Sequence, residues 1–205
     1  MELVFETDWL KVYDNVLDKE YCDELIEISR PQLFRQPLSS YHDHGTKQVE
    51  DSRTSNQCFI YGDKITEKLD NITNKLTDIP IENYEATSVI RYKSGQEYKT
   101  HYDFIPTNHP MYDTFIRTGG QRTTTALFYL SGEFTGGETI FFKLDNLKIR
   151  PKVGMCIIWK NMIEVNTING KELNNNLASR HAGLPVCKGE KWIATKWIRE
   201  NKWAT

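Results

Sequence analysis

The residues of this chain best suited to do chemistry are His101-Tyr102-Asp103, a second histidine far downstream at His181, and Lys191 in the last apolar segment. Side chains alternate across a β-strand, so His101 and Asp103 project to one face and can chelate a single ion while Tyr102 turns away. His181 would complete a facial triad. Two neutral imidazoles and one carboxylate leave a divalent ion with net positive charge and open positions, which is what non-haem Fe(II) needs to hold a chelating co-substrate and dioxygen. An isolated H-x-D string is a weak signal, because such strings recur by chance. Lys191 adds an independent mark. At period two it shares a face with Ile193, Thr195 and Trp197, with Trp192, Ala194, Lys196 and Ile198 on the other. A lysine beside Ile and Trp is partly enclosed and wants an anion, and a substrate carboxylate would serve. One charge-assisted hydrogen bond of this kind contributes roughly 1.5–3 kcal/mol.

The elements that must position these groups follow from periodicity. Tyr21, Cys22, Leu25, Ile26 and Ile28 predict a helix over 19–29, capped by Asp18 and stopped by Pro31. Ile65, Leu69, Ile72 and Leu76 predict a second over 63–77, with one face packed on a sheet. Beyond Ala86 the pattern shortens to strands over 87–92, 123–130, 138–142, 155–159 and 192–198, separated by Gly, Pro and Asn turns. This is an α+β chain with an antiparallel barrel or jelly roll in its second part. Residues 39–56, 104–120 and 162–179 are polar, proline-bearing or asparagine-rich and read as irregular, either binding loops or surface insertions.

A length of 205 residues, 39% of them apolar, suits one domain with a substantial core: helical support over about 1–83 and a catalytic β core over about 84–205. A net charge of -2 gives no electrostatic reason to expect nucleic acid. Met1-Glu2-Leu3-Val4-Phe5-Glu6 lacks the basic start and apolar run of a secretion signal, and no stretch approaches membrane-spanning length. The expectation is a cytoplasmic protein with no membrane partner. Cys22, Cys58, Cys156 and Cys187 have no C-x-x-C spacing and read as free, mostly buried thiols.

The run Arg91-Tyr92-Lys93-Ser94-Gly95-Gln96-Glu97-Tyr98-Lys99-Thr100-His101-Tyr102-Asp103, then Gly120-Gln121-Arg122, then Gly136-Gly137-Glu138-Thr139, resembles the catalytic domain of prolyl 4-hydroxylases. The segment from His181-Ala182-Gly183 to Lys191-Trp192-Ile193 and on to Ile198 is similar to the same family with its spacing intact, and the resemblance covers nearly the whole chain. It implies a double-stranded β-helix (jelly-roll) core with N-terminal helices packed on one face. It implies Fe(II) on His101, Asp103 and His181, and 2-oxoglutarate chelating the metal with its distal carboxylate on Lys191. Tyr92 and Thr139 are implied as hydroxyl donors to that carboxylate or its surroundings. The implied reaction consumes dioxygen, hydroxylates a prolyl residue of a peptide or protein, and releases succinate and carbon dioxide. Ascorbate enters as an optional reductant.

Arg53, Ser55, Tyr98, Arg122 and Trp197 match the peptide-binding surface of the family and suit an extended, proline-rich chain that loses little entropy on binding. Tyr98 and Trp197 also fit a core, and the two arginines fit ion pairs. Arg199 departs from the histidine that relatives often carry near that point, which puts the substrate register in doubt. Two rival readings keep part of the pattern: the same iron chemistry on a free amino acid or non-prolyl side chain, and a non-catalytic peptide-binding relative. The presence of all three ligands and Lys191 disfavours the second. His42-Asp43-His44 lacks a third spaced ligand and reads with His109 as loop histidines; Trp9, Trp159, Trp192 and Trp203 are assigned to packing.

Overall fold

The computed structural model describes every residue except 36–38, 42–46, 50–52, 63, 169 and 205. Two antiparallel sheets form a jelly roll. The larger has seven strands in the order Glu2–Glu6, Leu10–Asp14, Cys156–Lys160, Arg122–Tyr129, Glu190–Arg199, Thr87–Lys93 and Asn56–Ile60. The smaller has four, in the order Leu147–Ile149, Thr139–Phe141, His181–Gly183 and Tyr98–His101.

Alternation along the strands builds two cores. On the outer face of the larger sheet, Trp192, Ala194, Phe128 and Val89 pack against Leu25 and Ile26 of helix α1 (Lys19–Ser29) and Leu69 of helix α2 (Lys64–Thr77). Fully burying a leucine such as Leu25 or Leu69 contributes roughly 1.5–3 kcal/mol, so one face of each helix suffices to dock it. Asp18 caps α1 by accepting from the Tyr21 amide at 2.7 Å, and a tight turn at Arg30–Gln32 carrying Pro31 ends it. On the inner face, Ile90, Tyr92, Leu127, Ile157 and Ile193 meet Phe141 and Ile149 of the smaller sheet. Lys191, one strand position before Trp192, therefore points between the sheets.

The predicted helices and strands are present with boundaries shifted by a residue or two. Residues 1–83 are more than helical support, since three strands of the larger sheet come from them. Leu10 and Val12 are buried between half-exposed Lys11 and Tyr13, an alternation too short to stand out. Among the segments expected to be irregular, 162–179 holds the hairpin Met162–Thr167 with Gly170–Asn175. Its residues are exposed or half-exposed, so the backbone ladder holds it without an apolar stripe. Residues 104–120 hold a short helix α3, Tyr112–Arg117, which buries no residue. Strands Ser39–Tyr41 and Lys47–Val49 pair within 39–56, while His42-Asp43-His44 lies outside the described residues. Cys22, Cys58 and Cys156 are buried free thiols and Cys187 is an exposed one. Among the described residues, no helix is long and apolar enough to cross a membrane.

Candidate active site

His101 stands directly opposite His181 in the smaller sheet, and Asp103 follows just past the end of the His101 strand. Strand register thus brings together residues far apart in the chain, and one ligand atom from each of His101, Asp103 and His181 lies within 4.8 Å of the others. His101 Nε2 is 3.5 Å from Asp103 Oδ1. Each imidazole is oriented through its other nitrogen: His101 Nδ1 lies 2.7 Å from the Lys99 carbonyl and His181 Nδ1 lies 2.8 Å from the Ser179 carbonyl. A carbonyl only accepts, so Nδ1 carries the proton in both rings and each Nε2 keeps a lone pair that a metal could take. Aromatic neighbours fix the rings further. Tyr98 stacks on His101 at 3.5 Å between centroids, and Trp159 meets His181 edge-on at 4.7 Å. Trp159 is therefore more than core filler, since it also walls the pocket.

The electrostatics keep Asp103 and His181 in ligand form. Burial alone would raise the Asp103 carboxyl, but the neighbouring His101 and His181 rings and the Thr125 hydroxyl together hold it well below the usual carboxylate range. Burial, with His101 nearby, pulls His181 down to about 4, so it is neutral at physiological pH.

The triad borders a small pocket walled also by Ile90, Leu127 and Ile193. Lys191 forms part of the same wall. It is 2% exposed, donates to the Gly137 carbonyl at 2.7 Å, and lies 5.4 Å from the ring centroids of both Tyr92 and Tyr129. Burial pulls it down to about 7. An ammonium with one carbonyl and two aromatic faces has N–H donors to spare, which suits a carboxylate from a ligand. Thr139 adds a hydroxyl 2.6 Å from that of Tyr129. The donor set on one side and the buried cation on the other fit Fe(II) chelated by a small dicarboxylate.

Of the residues singled out from sequence, Tyr92, Tyr98, His101, Asp103, Thr139, His181 and Lys191 all line this pocket, as do Arg53 and Trp197. Ser55 and Arg122 stand one layer back. Ser55 accepts from Arg53 Nε at 2.9 Å. Arg122 spends its guanidinium on Glu85, with contacts of 2.7 and 2.8 Å, and lies 4.0 Å over the Trp197 ring. Arg199 joins the same carboxylate at 2.6 Å and donates to the Gly120 carbonyl at 2.8 Å, a structural role. Tyr129 and Thr125 also serve the site, on a period-two spacing within Arg122–Tyr129 that the sequence carries, whereas Glu85 and Asn161 have no local pattern that marks them.

A sequence profile of the 2OG-Fe(II) oxygenase superfamily matches residues 87–199. The chain is 33% identical over 214 residues to "Probable prolyl 4-hydroxylase 10" of Arabidopsis thaliana, covering 94% of this chain and 69% of that protein. It is 32% identical over 198 residues to "Putative prolyl 4-hydroxylase" of Acanthamoeba polyphaga mimivirus, covering 94% and 75%. The crystal structure of viral collagen prolyl hydroxylase from Paramecium Bursaria Chlorella virus-1, in its 2OG complex, superposes with a TM-score of 0.68 and 28% identity, covering 94% of this chain and 96% of that one.

Proposed function

We propose that this chain, which belongs to the 2OG-Fe(II) oxygenase superfamily and to its prolyl 4-hydroxylase group, is a 2-oxoglutarate-dependent dioxygenase that hydroxylates prolyl residues in a peptide or protein. The observation that carries the reading is the meeting of His101, Asp103, His181 and the buried Lys191 around one pocket. When bound, Fe(II) with 2-oxoglutarate and dioxygen supplies the oxidation, one oxygen atom going to the C–H bond and the other to succinate as carbon dioxide leaves.

The chain's own residues bind, orient and exclude. His101, Asp103 and His181 would hold the metal from one side, leaving the opposite side to small ligands. Lys191 would take the distal carboxylate of the co-substrate, and the Thr139 and Tyr92 hydroxyls would share its remaining lone pairs. Ile193, Leu127 and Trp159 line the same pocket and keep water scarce around the reacting bond. No nucleophile is needed, since the work of the protein is to fix distances.

On the substrate side we assign Arg53, Tyr98 and Trp197 to the peptide, with Ser55 orienting Arg53 and Arg122 supporting Trp197. Arg53 is 7% exposed and its Nη2 has no hydrogen-bond partner, which suits a donor waiting for a peptide carbonyl. Residues 1–205 are read as one domain, because strands from the first sixty residues are hydrogen-bonded into the catalytic sheet. A cytoplasmic location, with ascorbate as reductant, completes the proposal; the four free thiols suit a reducing compartment.

Asp103→Ala tests the metal site. It removes the one anionic ligand, so co-substrate turnover should fall to background while circular dichroism stays that of the folded protein. Retention of wild-type turnover would refute the triad.

A further inference from the structure

Asp103 has two carboxylate oxygens, and the protein treats them differently. Oδ1 faces His101, while Oδ2 accepts from Thr125 Oγ1 at 2.8 Å. Asn161 Nδ2 in turn donates to Thr125 Oγ1 at 2.8 Å. Thr125 and Asn161 are both 0% exposed. The directions in this chain of bonds are forced. An ionised carboxylate can only accept, so the single hydroxyl proton of Thr125 must point at Asp103. The Thr125 oxygen is then free to accept, and only the nitrogen end of the Asn161 amide can serve it.

Asn161 is itself anchored on both sides. Its backbone N–H donates to the Thr123 carbonyl at 2.7 Å, and its backbone carbonyl accepts from the Asn176 backbone N–H at 2.8 Å. Its Oδ1 is buried without a partner. Leaving a buried amide oxygen unpaired is unfavourable, and an apolar residue would avoid it if filling space were the only task. The Asn161 side-chain N–H reinforces the direction the carboxylate sets, because it fills a lone pair of the Thr125 oxygen and leaves the hydroxyl proton to Asp103.

We propose that Thr125 and Asn161 are positioning residues for the metal: a one-way hydrogen-bond relay that occupies Asp103 Oδ2 and leaves Oδ1 alone to bind. The inference rests on the metal-site reading and adds a consequence to it. A carboxylate held by a hydrogen bond on one oxygen is turned to present the other, which favours one-oxygen binding and keeps one more coordination position open than a bidentate carboxylate would. Without the Thr125 hydroxyl, Asp103 can rotate, closing that position or losing its aim.

The test is titration of the protein with Co(II), a spectroscopically visible divalent ion, on wild type, Thr125→Val, Thr125→Ser and Asn161→Asp, reading affinity by calorimetry and coordination number from the visible absorption of bound Co(II). Thr125→Val keeps the shape and removes the hydroxyl. It should weaken Co(II) about 10- to 100-fold and alter the absorption, while Thr125→Ser stays within about threefold of wild type. Asn161→Asp offers only acceptors, draws the Thr125 proton away from Asp103, and should behave like Thr125→Val; it decides the matter if the valine variant does not fold. Wild-type affinity and absorption in folded Thr125→Val or Asn161→Asp would overturn the relay while leaving the metal site standing. A wild type that binds no Co(II) would overturn the metal site, and the relay with it.

Discussion

The Lys191 ammonium donates to the Gly137 carbonyl across 2.7 Å, and Gly137 holds a positive φ of 69° that brings its backbone against the lysine stem. A Cβ at Gly137 would lie 3.1 Å from Lys191 Cδ, so the glycine is needed both for its turn and for this approach. The carbonyl uses one of three N–H bonds and steers the others into the pocket. Removing the charge should therefore act on the co-substrate alone. In Lys191→Met the affinity for 2-oxoglutarate, measured in the presence of metal, should fall about 10- to 100-fold, in line with one lost charge-assisted hydrogen bond. An unchanged affinity would take Lys191 out of the site.

The same lysine sets a pH dependence. Burial pulls Lys191 down to about 7, and a bound carboxylate would favour its charged form. Below pH 7 the ammonium is already in place and affinity is flat. Above it, binding must take up a proton, so the apparent Kd should rise by up to about tenfold per pH unit. Calorimetry in buffers of different ionisation enthalpy at pH 8 should show that proton uptake. A Kd constant from pH 6 to 8.5 would contradict this assignment.

Glu85 supports the wall that carries Trp197. Burial would raise its carboxyl, but the Arg122 and Arg199 guanidiniums outweigh burial and hold it below the ordinary glutamate value. A carboxyl depressed in the folded state stabilises the protein above its unfolded pKa of roughly 4.3, and that contribution is lost as pH falls through the folded value. Glu85→Gln leaves two guanidiniums without their anion and should cost roughly 3–5 kcal/mol in urea unfolding at pH 7. The difference from wild type should shrink as the pH is lowered below 4. A variant as stable as wild type at pH 7 would show the ion pairs to be incidental.

Arg53→Ala and Trp197→Ala separate substrate from co-substrate. Each should raise KM for a proline-rich peptide about tenfold or more, while peptide-independent consumption of 2-oxoglutarate stays within about twofold of wild type. Equal losses in both assays would move these residues from peptide binding to general packing.

Part of this site is legible in the sequence: alternation puts Lys191 on one face with Ile193, Thr195 and Trp197, while the H-x-D spacing marks His101 and Asp103 although Asp103 lies just past the strand's end. Helices α1 and α2 were equally plain, since Leu25 and Leu69 sit on apolar faces wide enough to dock on a sheet. What escaped were features made by contacts across the chain. Glu85 draws Arg122 and Arg199 together from positions that share no local pattern, so Arg122 looked available to substrate when its guanidinium is already engaged. Asn161 follows a strand as an unremarked polar residue, and its meaning comes from Thr125 on the neighbouring strand. The hairpin at 162–175 was invisible for a different reason: it buries little, so no alternation was needed to form it.

The central claim is coupled oxidation of a prolyl residue, and succinate formation tests it most directly. Purified protein would be given Fe(II), 2-oxoglutarate and oxygen, with and without a proline-rich peptide, and the peptide then weighed by mass spectrometry. The account predicts that the peptide stimulates succinate release and gains one oxygen atom on proline for each succinate made. Succinate release that ignores the peptide, with the peptide mass unchanged, would contradict it.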